Sequence, residues 1–167
     1  TAMLEVDAFF LNEDRHTNNI AVLYDDTDET YSLCPLFDNG LSLLSDTSLD
    51  FPLERPLEDC LQAIEAKPFS RHFDDQLDAA EGLYGTQLRF SFGSHDVKDI
   101  IDAFRSEYDN DICNRCEALI RRQMHHYSYL IQKWKQGNGH CGRCPIVLRC
   151  CMKKAAHQKV NGAVISC

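Results

Sequence analysis

The sequence predicts a mostly helical α+β fold with one small β-hairpin. Three observations carry this. The chain opens with an apolar, helix-compatible run, MLEVDAFFL (3–11). Two short β-type runs, IAVLY (20–24) and YSLCPLF (31–37), flank a single polar turn. From residue 56 onward, apolar residues recur mainly at helical spacing.

Taken in order, the first run places Leu4, Val6, Phe9 and Phe10 on one helix face, and NEDRHTNN (12–19) follows as a polar turn. The hairpin, with its Asp-rich turn, ends at Phe37-Asp38-Asn39-Gly40. Residues 41–54 look irregular. Pro56 opens a helix over LEDCLQAIEA, with Leu57, Leu61 and Ile64 on one side, and Pro68 ends it. A helix over DDQLDAAEGLYG closes at Gly85. LRFSF (88–92) reads as a short strand or an extended connection. SHDVKDIIDAF is a helix with Ser94 as N-cap. The longest helical signal runs from about Asn110 to Lys135, through Cys116, Leu119, Ile120, Tyr127 and Trp134, with Gln123 as its one polar interruption. His125 and His126 fall on this helix as surface or packing residues.

With 44% hydrophobic and 26% charged residues, the composition is that of a soluble globular protein. No apolar run approaches the ~20 residues of a membrane span, and no secretory signal is visible. The expected location is the cytoplasm, with no membrane partner. The net charge of −9 is divided unevenly: residues up to Asp111 carry 25 acids against 7 bases, and the rest 1 against 10. The acidic body repels a nucleic-acid backbone, so only the basic end could attract one. The plainer reading is that this end packs on the acidic body or keeps the chain soluble.

Of the nine cysteines, only Cys34 and Cys60 precede residue 112, which describes a reduced domain without a disulfide framework. Cys113-x-x-Cys116 and Cys141-x-x-Cys144 have the internal spacing of zinc knuckles. Cys116 shares the apolar stripe of the long helix, so buried packing cysteines are the favoured reading of the first pair. The expected division is a domain over 1–136 and a Cys-rich basic tail over 137–167.

The informative constellation is Asn12-Glu13-Asp14-Arg15-His16-Thr17-Asn18-Asn19, followed after the hairpin by Leu36-Phe37-Asp38-Asn39-Gly40. Phosphoryl transfer from ATP needs a carboxylate to orient the attacking hydroxyl and take its proton. It also needs hard oxygen ligands to hold magnesium against the phosphates. An Asp, an Asn five residues later and a second Asp beyond a hairpin is the order used by protein kinases. The positions are Asp14, Asn19 and Asp38, and the hairpin returns Asp38 toward Asn19. The plain alternative is a solvated loop in which Asp14 caps a turn.

The segment FFLNEDRHTNNIAVL…YSLCPLFDNG resembles the catalytic loop and metal-binding segment of HipA-like serine/threonine protein kinases. The loop pattern Asn-x-Asp-Arg-His-x-x-Asn is matched by Asn12, Asp14, Arg15, His16 and Asn19, and the later pattern by Cys34-Pro35-Leu36-Phe37-Asp38. Ala66-Lys67-Pro68-Phe69, followed by Gln76, is a weaker match. The resemblance covers about residues 1–130. It implies a protein-kinase-like C-terminal lobe whose hairpin carries the metal-binding segment. Asp14 would be the catalytic base, and Asn19 and Asp38 would bind magnesium. Asn12, Arg15 and His16 would support the loop.

ATP and Mg2+ are the implied cofactors, and a protein Ser or Thr hydroxyl is the acceptor. An antitoxin or regulatory protein is the implied partner, in a toxin–antitoxin setting. The family also implies an N-terminal lobe with a phosphate-covering loop and an ATP lysine, and the abrupt start at Thr1-Ala2-Met3 suggests a longer natural protein. Lys67 and Lys98, in a connection and a helix, do not replace that lysine. The chain alone is therefore expected to be inactive, with Leu33, Leu36 and Phe37 on an apolar rim facing the missing lobe. Two other readings stay open. A phosphoinositide-type or small-molecule kinase shares the Asp-Arg-His-x-x-Asn loop, although PLFDNG in place of an Asp-Phe-Gly segment favours the HipA-like reading. The other is a module without catalysis: an interaction module that kept the lobe and lost ATP use, or a metal or nucleic-acid module built on the basic tail, with Cys113, Cys116, Cys141 and Cys144 as the zinc candidates.

Overall fold

Helix α1 (Ala2–Phe10) is buried from Leu4 to Phe10 without interruption, Glu5 and Asp7 included. A single apolar face was too narrow an expectation for it, because α1 packs between α3 (Phe73–Tyr84) and α5 (Asn110–His126). The computed structural model describes residues 1–132. Within them the fold is α+β and mostly helical, completed by α2 (Leu57–Ala63), α4 (Ser94–Phe104) and one antiparallel hairpin, β1 (Val22–Asp25) with β2 (Thr30–Leu33). None of these helices is long and apolar enough to cross a membrane. The proposed boundary at 136/137, Trp134 and the tail cysteines Cys141, Cys144, Cys150, Cys151 and Cys167 lie outside the described residues.

The core is aromatic where α1 meets the chain after α3. Phe9 stacks on Phe90 at 4.6 Å and meets Phe92 edge-on at 5.7 Å. α4 buries Val97, Ile100, Ile101 and Phe104 against α5, the spacing of one helix face. α5 answers with Ile112, Cys116, Leu119 and Ile120. Its polar interruption, Gln123, is only 5% exposed and donates from Nε2 to the Ala8 carbonyl at 2.9 Å. That carbonyl belongs to the last turn of α1, where it also accepts from the Leu11 amide at 3.4 Å. Glu5 is also fully buried, and its carboxylate accepts from the Gln87 and Leu88 amides, both at 2.7 Å.

Three boundaries differ from expectation. α2 stops at Ala63 rather than near Pro68, because Ile64 turns to extended backbone and the chain folds back, with the Ala66 amide donating to the Arg71 carbonyl at 2.9 Å. The N-cap of α4 is Gly93, one residue before Ser94, and Asp96 Oδ2 accepts from the Gly93 amide at 2.8 Å. α5 ends at His126, not near Lys135. Tyr127 leaves helical geometry, its hydroxyl donates to Asp74 at 2.7 Å, and Ile131 bridges Phe90. LRFSF is thus an extended connection with a single bridge. Gly85 closes α3 as expected, at φ 70.

The irregular stretch 41–55 contributes Leu43, Leu44 and Phe51 to the core without forming a helix or strand. Leu43 and Leu44 both adopt left-handed backbone, φ 57 and 55, which disfavours bulky side chains. Arg115 on α5 ties the stretch down. It donates to the carbonyls of Phe51, Pro52, Leu53 and Arg55. Arg115→Ala should lower stability by about 2–3 kcal/mol, the cost of stranding carbonyls that share a charged donor. Urea denaturation reads the loss. Hydrogen exchange should quicken first at the Phe51 and Arg55 amides, whose acceptors lie within this stretch.

Candidate functional site

The polar turn after α1 is organised by one side chain. Arg15 is fully buried, and its five N–H donors are all used. Nε and Nη2 grip the two oxygens of the buried Asp7 carboxylate, each at 2.9 Å. Nη2 also donates to Asn39 Oδ1. Nη1 donates to the Asn19 carbonyl at 3.1 Å and to the Phe37 carbonyl at 3.0 Å. One guanidinium therefore joins α1, the far end of the 12–19 loop and the segment after the hairpin.

The remaining loop residues lock onto this frame. Asn12 is buried, donates to Asp7 Oδ1 at 2.8 Å and accepts from the Asp14 amide at 3.3 Å. Asn19 closes a 3-10 turn (Thr17–Asn19) and donates from Nδ2 to the Asp14 carbonyl at 3.0 Å. Its amide nitrogen is thereby committed, which leaves Oδ1 as the ligating atom of that side chain. His16 contributes through its backbone, accepting from the Asn19 amide at 2.9 Å, while its buried Nδ1 has no hydrogen-bond partner. Asp38 follows Phe37 directly and takes left-handed backbone at φ 54.

The hairpin spans the interval between Asn19 and Phe37. It pairs Val22 with Leu33 and Tyr24 with Tyr31, and both strands are exposed throughout. Of the three expected rim residues, Leu33 is 58% exposed, while Leu36 and Phe37 are half-buried, Leu36 against the core.

A cavity of about 300 Å³ opens beside Asp14, lined in part by Glu13, Asp50, Arg55, Glu65 and Lys67. Lys67 Nζ lies 3.9 Å from Asp14 Oδ1. Burial, together with Asp50, Asp14 and Asp46 nearby, pushes the Glu13 carboxyl up to about 7, against the pull of Lys67. Sequence reasoning gave no role at this site to Asp7, Asn39 or Glu13, and placed Lys67 in a connection without linking it to Asp14. An aspartate inside the apolar run MLEVDAFFL was the available signal for Asp7, since a charge in such a helix needs a buried partner. Glu13, Asn39 and Lys67 lie in stretches the sequence singled out, but their contacts here depend on packing.

Cys113 and Cys116 are both buried on α5, and burial pushes the Cys113 thiol up, away from the thiolate that zinc requires. Cys141 and Cys144 lie outside the described residues. His126 contacts Asp74 at 3.2 Å, in keeping with a surface role. Lys98 is on α4 and pairs with Asp102. Among the described residues, no group of three or more His, Cys, Asp or Glu is placed to hold a metal ion. Magnesium bound through one carboxylate, one amide oxygen and substrate phosphates needs no such group. No protein-family model matches this chain, and neither does any curated protein or solved structure.

Three outcomes are expected. Asp7→Ala leaves a buried, unpaired guanidinium and should cost about 3–5 kcal/mol by urea denaturation. Arg15→Lys should also be strongly destabilising, because an ammonium has three donors where five bonds are made. For Glu13, a carboxyl raised in the folded state holds its proton more tightly there than in the unfolded chain. Its contribution to stability is therefore complete below its ordinary value of 4.5 and is lost as pH rises toward about 7. Across that window wild type should lose stability relative to Glu13→Gln, and parallel pH profiles for the two would refute the shift.

Proposed function

We propose that this chain is the C-terminal lobe of a HipA-like kinase that transfers the γ-phosphate of ATP to a protein Ser or Thr hydroxyl. The observation that carries the reading is the shared donor of Arg15. Its Nη1 reaches both the Asn19 and the Phe37 carbonyls. The loop bearing Asp14 and Asn19 is therefore tied to the segment that bears Asp38, in the order a phosphoryl-transfer site requires.

In this reading Asp14 orients the acceptor hydroxyl and takes its proton. Its side chain is 30% exposed, so an acceptor can reach it. The Asn19 amide oxygen and the Asp38 carboxylate are hard donors that suit magnesium. Bound there, the ion supplies charge neutralisation on the ATP phosphates. The Asp7–Arg15 pair keeps the loop and the later segment in register, which matters because this chemistry depends on positioning. The phosphate-covering loop and the ATP lysine of such kinases belong to an N-terminal lobe, which this reading requires as a partner.

The test is γ-labelled ATP with magnesium and a degenerate Ser/Thr peptide library, on the complete protein. Asp14→Ala should lower transfer by about 10²–10⁴-fold while ATP binding persists. Asp38→Asn should lose transfer and raise the magnesium requirement. Normal transfer by both variants would reject the assigned roles.

A further inference from the structure

Lys67 is not an ordinary surface lysine. Its backbone is fixed by Gln76, a side chain of α3 that is 4% exposed. Gln76 donates from Nε2 to the Lys67 carbonyl at 3.2 Å and accepts from the Phe69 amide at 3.4 Å. On the other side Ala66 is buried, and its amide bonds the Arg71 carbonyl. The turn from 66 to 71 is thus held at both ends, with the Lys67 side chain directed toward the loop that carries Asp14.

The ion pair formed there does little for stability. It spans 3.9 Å between side chains 51% and 30% exposed. A pair so placed, between half-exposed side chains, is screened by solvent and adds little to stability. The buried glutamine that fixes the lysine is a large investment for so small a return. The other base lining the adjacent cavity, Arg55, donates to the carbonyls of Asp50 and Asp59. Among the described residues, Lys67 is the cation paired with the Asp14 carboxylate.

We infer that Lys67 is a further catalytic residue of the phosphoryl-transfer site, an ammonium that contacts the transferred phosphoryl group beside Asp14. The inference rests on the kinase reading above. A hydroxyl bound by Asp14 lies about 2.6–3.2 Å from its carboxylate, and the phosphorus it attacks lies about 3–3.5 Å further on. Lys67 Nζ, 3.9 Å from that carboxylate on a half-exposed side chain, is close enough for a phosphoryl group held beside Asp14 to be within its reach. In the step, the acceptor oxygen bonds to the γ-phosphorus and its proton passes to Asp14. The bond from that phosphorus to the bridging oxygen breaks, and the electron pair leaves on ADP. Negative charge spread over the equatorial oxygens during this exchange is what Lys67 would neutralise.

The test compares Lys67→Ala, Lys67→Arg and Asp14→Ala in the complete protein, with ATP–magnesium and the degenerate Ser/Thr peptide library. Lys67→Ala should lower kcat by about 10²–10³-fold with nucleotide affinity and Tm unchanged. Lys67→Arg should recover at least about tenfold of that loss. If Lys67→Ala keeps kcat within threefold while Asp14→Ala abolishes transfer, Lys67 is outside the site and the kinase reading stands. Absence of both ATP binding and transfer in wild type would remove the kinase reading, and Lys67 with it.

Discussion

The fold around the loop depends on a charge pair buried without access to water. Desolvating a guanidinium and a carboxylate costs several kcal/mol for each ion. Arg15 offsets this only because every one of its donors finds an oxygen, two from Asp7, one from Asn39 and two from backbone carbonyls. The arrangement is all-or-none. If the 37–39 segment moves away, two donors are stranded in the interior. The pair therefore acts less as a source of net stability than as a constraint on where the chain runs after the hairpin.

That constraint explains features that are otherwise unfavourable. Asp38, Leu43 and Leu44 take left-handed backbone in a short span. Such conformations persist where surrounding contacts over-determine them. Here the Phe37 carbonyl is held by Arg15. The Leu43 amide is held by the Phe10 carbonyl at 2.8 Å, and the Glu13 amide by the Leu41 carbonyl at 3.3 Å. The exposed hairpin is held by its ladder and by Asp25 and Asp28 in its turn, and the clamp ties down the segment that follows it.

A second theme is the use of buried polar side chains to hold segments that lack regular structure. Glu5 holds residues 87 and 88, Gln76 holds 67 to 69, Gln123 closes α1, and Arg115 holds 51 to 55. Each satisfies backbone groups that no helix or strand would pair. The helices supply most of the apolar core, while these side chains fix the connections on which the candidate site is built.

Much of the helical frame was legible in the sequence. Spacing identified α3 and α4 almost to the residue, because apolar periodicity and a closing glycine are local signals. The pattern NEDRHTNN before a hairpin likewise singled out Asp14, Asn19 and Asp38 as candidate residues, since their order is written in the chain. The end of α5 was not legible: Tyr127 continues the apolar stripe, and only Asp74 and Phe90, distant in sequence, draw the chain out of the helix. The partners of Arg15 and the approach of Lys67 to Asp14 were decided by tertiary structure alone. A hydrogen bond or ion pair between residues eight to fifty-three positions apart depends on how elements pack, and no local spacing encodes that.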